Sequence, residues 1–235
     1  MTSRADLDEF VKANRAVRRL TRRELEALFA RLEGLPPARL FDALAVAVPL
    51  LVERFGEVAA MVAADFYEAQ REAARVARRF TPALAPVSPV EALVASLRWS
   101  MVPMFEERPD GRTEVVGRLL QVADDRVIGQ GKRTLVEAAQ SDPVRPRVAR
   151  VPVGVTCAFC RMLAGRGAVY GSAASALAAS HAGCDCVPTP MWDGSELPDG
   201  FDPDTYRAEY EAARDVAGSN RRRILAEMRR EGSTG

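Results

Sequence analysis

All four cysteines of this chain and its single histidine fall within residues 157–186. The stretch reads Cys157-Ala-Phe-Cys160, then twenty residues, then His181-Ala-Gly-Cys184-Asp-Cys186. Zinc takes four nitrogen or sulfur ligands in a tetrahedron, and a Cys-x2-Cys turn presents two thiolates from one tight knuckle. His-x2-Cys and Cys-x-Cys can supply the second pair. Five donors for four places leave one residue outside the coordination sphere. The spacing favours Cys157, Cys160, His181 and one of Cys184 or Cys186. Protein ligands can fill every position, so the expected cofactor is a structural zinc rather than a catalytic one.

Three other uses of the cysteines compete with a metal. Four cysteines allow three disulfide pairings. The first residues carry no signal-peptide pattern, so a reducing cytosol is expected, which disfavours disulfides. A redox Cys-x2-Cys normally follows a strand in a βαβ unit, and no such unit is visible. Buried thiols with no further role would not need to cluster.

The rest of the sequence is helical by its periodicity. Leu7, Phe10, Val11, Val17 and Leu20 form an apolar stripe, and Leu25, Leu28, Phe29 and Leu32 continue it to Gly34. Thr21-Arg-Arg-Glu24 reads as a capping box, so two helical pieces are expected in 4–33. A long helix should start at Pro36-Pro37 and run to about Phe80, with Pro49 kinking or breaking it. Ser88-Pro89-Val-Glu91 starts a third helix that should end before Pro103. A fourth covers about 113–139, weakened by Gly129 and Gly131.

Composition changes at Val144. Alternating β-branched residues predict a strand in 147–155, and further short strands are expected at 168–170 and 187–192. A helical turn should follow Cys160, and alanine-rich 172–180 should form a small helix ending at His181. The tail reads as helix from about Pro203 to Arg230, broken at Gly218-Ser-Asn220, and such a tail needs a partner surface or it frays. The expected fold is mainly α: a bundle of long helices, then a small α+β zinc-knuckle module, then a C-terminal helix. The corresponding domains are 1–144, 145–200 and 201–235.

The motif region also resembles a known family. Cys157-x2-Cys160-Arg-Met-Leu-Ala-Gly-Arg-Gly-Ala-Val-Tyr170, followed by His181-x2-Cys184-x-Cys186 and a proline-containing strand, is similar to the C-terminal module of phage Mu F-like minor head proteins. It is closest to the versions in tailed phages of actinobacteria. The motif covers about residues 145–192; the helical part before it fits in length and character only. The resemblance implies a minor capsid or head-morphogenesis protein. It would reside in the virion, at the capsid interior or portal region, after assembly in the host cytoplasm. Its partners would be the portal protein, the major capsid protein or both.

Some relatives carry the label of capsid maturation protease, which is the alternative function. The residues argue against an enzyme. A Ser-His-Asp triad needs a histidine free to shuttle protons, and the sole histidine here lies in the metal-like cluster. A Ser-Lys dyad has only Lys12 and Lys132 to draw on. The sequence holds no Gly-x-Ser-x-Gly elbow and no His-Glu-x2-His.

Basic clusters at 15–23, 71–79, 145–150 and 221–230 could touch phosphates without sequence preference, and Arg221, Arg222 and Arg223 are the clearest run. The formal net charge of +1 argues against a dedicated nucleic-acid binder. Non-specific contact with packaged DNA is the weaker expectation. No apolar run is long enough to cross a membrane.

Overall fold

The computed structural model describes residues 4–154, 156–177, 186–194 and 196–231. It is mainly helical, with one two-stranded sheet, as the periodicity predicts. In chain order the elements are α1 (Arg4–Arg31), α2 (Pro37–Ala73), α3 (Val90–Phe105), α4 (Gly111–Ser141) and β1 (Arg147–Val151). Then come α5 (Ala158–Ala164), α6 (Ala173–Ala176), β2 (Val187–Met191), α7 (Pro203–Ala217) and α8 (Arg221–Glu231). The chain forms two compact units, and α1, α2 and α4 contribute residues to both.

One unit comprises Lys12–Ala64 and Leu84–Thr134. Its core joins Leu25, Leu44, Val48, Leu97, Leu119 and Val127, recurring at helical spacing on four helices. Two expectations fail here. α3 does not end before Pro103 but runs through it to Phe105. Thr21 does not start a new helix: it is buried, its hydroxyl donates to the Val17 carbonyl at 2.9 Å, and α1 continues past it. The hydroxyl that would cap a helix is used inside one. α4 runs uninterrupted through Gly129 and Gly131. A Cβ at Gly131 would lie 2.7 Å from the Ala59 carbonyl oxygen, so the missing side chain is what admits the backbone of α2. Gln130 beside it is buried and donates to the Ala85 carbonyl at 2.9 Å. Thr134 accepts from the Ala85 N–H at 3.0 Å, which ties the proline-rich connection to α4.

The other unit comprises Met1–Val11, Asp65–Ala83 and Leu135–Gly235. α2, which runs unbroken through Pro49 in the first unit, ends in this one at Ala73, short of Phe80. Arg75 turns left-handed at φ 52° and the Val76 N–H reaches back to the Arg71 carbonyl at 3.2 Å, a Schellman-type stop. Arg71 is not a solvated helix-end charge. It is buried, its Nε meets Asp142 Oδ2 at 2.8 Å, and its other nitrogens donate to the carbonyls of Ala77 and Arg78. Tyr67 donates to the same carboxylate oxygen at 2.9 Å.

β1 and β2 pair antiparallel, with Val148 opposite Pro190 and Arg150 opposite Pro188. Val148 spends its own N–H and carbonyl on Tyr170, at 2.9 and 3.1 Å. The pairs at Pro190 and Pro188 are therefore the non-hydrogen-bonded ones, and both prolines turn their missing donors away from β1.

The tail helices find their surface within this unit. Ala213, Ile224, Leu225 and Met228 pack on Ala158 of α5, flanked by Phe159, Met162 and Tyr210. Arg161 adds an ion pair to Glu209 at 3.5 Å and a hydrogen bond to the Met228 carbonyl. Gly165, at the end of α5, lets α7 approach so closely that a Cβ would stand 2.9 Å from the Arg207 nitrogen.

Candidate metal centre

Cys157 caps α5: its sulfur accepts from the Cys160 N–H at 3.4 Å. Cys160 then lies in the first turn of α5, and Cys186 immediately precedes β2. Sheet pairing brings Cys186 back beside β1 and α5. The sulfurs of Cys160 and Cys186 stand 3.7 Å apart, both buried, with half-buried Cys157 packed against them. A disulfide needs about 2.05 Å between sulfurs, so these two are not bonded. Two sulfurs sharing one tetrahedral zinc at the usual bond length lie about 3.8 Å apart, which the observed spacing fits. Among the described residues no three cysteine, histidine or carboxylate groups converge into a complete three-ligand set. His181 and Cys184 lie outside the described residues.

Arg150 was not expected here. Its side chain is 1 % exposed and faces the sulfurs from β1. Nη2 is 2.9 Å and Nε 3.3 Å from Cys186 Sγ, and Nη2 is 3.8 Å from Cys160 Sγ. Metals bind cysteine as thiolate. A buried guanidinium offsets the negative charge that two or more such ligands accumulate, and its N–H groups fix their orientation. In the sequence Arg150 sits in phase with Val148 on one face of a strand, and an arginine on a buried strand face was the available signal.

A family profile described as VG15 protein matches residues 1–213, a span that contains the whole cysteine cluster. The chain belongs to the VG15 protein family. That membership marks it as phage-derived. Neither a curated protein nor a solved structure matches the chain.

In this VG15-family chain the basic clusters divide. Arg71 and Arg150 are buried, so they do not contribute to a phosphate-facing surface as their clusters suggested. Arg221, Arg222 and Arg223 are exposed at the start of α8, where Asn220 Oδ1 accepts from the Arg222 N–H at 3.0 Å and caps the helix. The buried trio of Tyr67, Arg71 and Asp142 has the look of a reactive cluster, but its electrostatics argue otherwise. Burial, then the Asp142 charge, pushes the Tyr67 hydroxyl up. Burial alone would raise Asp142; the hydrogen bonds from Arg71, the Val144 N–H and Tyr67 outweigh it and hold the carboxyl below its usual range. Both groups move away from neutral pH, which suits a structural anchor and not a proton-transfer pair.

Proposed function

We propose that this protein is a structural minor capsid or head-morphogenesis component, similar in kind to Mu F-like minor head proteins, with a zinc-stabilised C-terminal module. It binds the portal, the major capsid protein or both during head assembly. The observation that carries the reading is the 3.7 Å approach of Cys160 and Cys186 beside Cys157. In a phage-derived chain with long packed helices, such a cluster serves architecture.

Cys157, Cys160 and Cys186 would hold the metal, with His181 or Cys184 completing the set. Zinc in such a place supplies a cross-link between segments that are far apart in sequence. The rest of the work falls to the protein. The Cys160 N–H orients Cys157, Arg150 sets the sulfurs of Cys186 and Cys160, and α5 carries α7 and α8 on its outer side. Exposed Arg221, Arg222 and Arg223 offer non-specific contact with packaged DNA.

Two measurements test this. Metal analysis of the purified chain should give about one zinc per molecule, and less than about half an equivalent would count against the site. Mass spectrometry of heads and proheads from the encoding phage should find the chain in the particle. Its absence from both would end the capsid reading whatever the metal content.

A further inference from the structure

α3 buries Leu93, Leu97 and Met101 and leaves its other face in solvent. That open face is a mostly apolar stripe of Val90, Glu91, Val94, Ala95, Arg98 and Trp99. Val90 is 53 % exposed and Trp99 is 59 % exposed, and they lie on one contiguous face. Arg118 of α4 lies 4.6 Å from the Trp99 ring, and Arg98 lies 5.4 Å from the Phe41 ring.

Its only two charges are of opposite sign, and neither makes an ion pair among the described residues. Their placement is symmetric. About the midpoint between Val94 and Ala95, Glu91 is the mirror position of Arg98, and Val90 is the mirror position of Trp99. A two-fold axis through that midpoint sets a second α3 antiparallel to the first. Glu91 then meets Arg98 of the second copy, and the pair forms twice because an isologous contact repeats every interaction. Val90 covers the second copy's Trp99, and small Ala95 at the axis permits close approach of the helices.

We propose that this face of α3 is a self-docking surface through which two copies of the chain pair antiparallel. A second copy fits better than a partner of one charge sign, or an anionic lipid surface. Either of those would satisfy one of the two charges and strand the other as it is desolvated. One short helix per copy buries less than the roughly 1,200 Å² of a standard interface, so the dimer should be weak and concentration-dependent. The proposal is independent of the cysteine cluster.

Sedimentation velocity of the full chain over a wide concentration range tests it, using wild type, Glu91→Arg, Arg98→Glu and the double exchange. Each residue is exposed, and circular dichroism checks that each variant is folded. The expected result is a reversible wild-type dimer in the micromolar range. Each single variant, which sets like charges together, should weaken it about tenfold or more, and the double exchange should restore it. A wild type that stays monomeric at near-millimolar concentration overturns the proposal. So do single variants that dimerise like wild type, or a double exchange as weak as the singles. If the single variants instead lose binding to purified portal or capsid protein while the chain alone is monomeric, the face belongs to that partner and self-docking is wrong.

Discussion

Arg150 and Asp142 show what single side chains contribute. Arg150→Met removes the donors that face Cys186 and Cys160, and Arg150→Lys keeps the charge but loses the fork. On the proposed zinc site, chelator competition should show metal retention falling roughly 10–100-fold for methionine and less for lysine. Asp142→Asn leaves Arg71 buried without its counter-charge, at a cost of about 3–5 kcal/mol in urea unfolding. Because the Asp142 carboxyl is held below its usual range, its contribution is complete above the ordinary value of about 3.9. It disappears as pH falls through the lower folded-state value. An acid titration of wild type should show that loss, and Asp142→Asn should lack it. The Cys157 cap on α5 was legible because Cys157 and Cys160 are neighbours in sequence. The Arg71–Asp142 pair was not, because the two are 71 residues apart and Arg71 alone reads like any helix-end arginine.

At the scale of elements, the helices were legible wherever apolar residues recur every three or four positions, since that period alone fixes a buried face. Their ends and weak points were harder to read, because these depend on what lies alongside. Gly131 reads as helix-weakening, yet it faces another backbone, whereas Gly117 in the same helix faces none. Gly131→Ala gains helix propensity but drives a Cβ to 2.7 Å from the Ala59 oxygen, so it should lower the melting temperature. Gly117→Ala meets nothing within 4 Å and should raise stability by up to about 1 kcal/mol. Thermal denaturation of the two variants side by side separates propensity from contact. Thr21 carries the same lesson: a capping-box pattern yields when its hydroxyl is buried in a helix that has packing on both sides of it.

For the whole molecule, the proposed zinc would give the two units different sources of stability. The unit built on Leu44, Leu97 and Val127 has an ample apolar core. The cysteine module joins short elements, β1, α5 and β2, and carries α7 and α8 on a small apolar cluster. Chelation should therefore speed amide hydrogen exchange in β1, β2, α5, α7 and α8 while the amides around Leu97 and Val127 keep their protection. Uniform loss of protection across both units would contradict that division. One more consequence follows from β2. β2 is buried along its length, and on its side facing away from β1 the residues Pro188 and Pro190 have carbonyls but no hydrogens to give. An unpaired strand can template growth of a neighbour's strand into a fibril, and these imino acids withhold half of what such growth needs. Crowding of such a chain therefore meets a strand side poor in the donors that polymer growth would use.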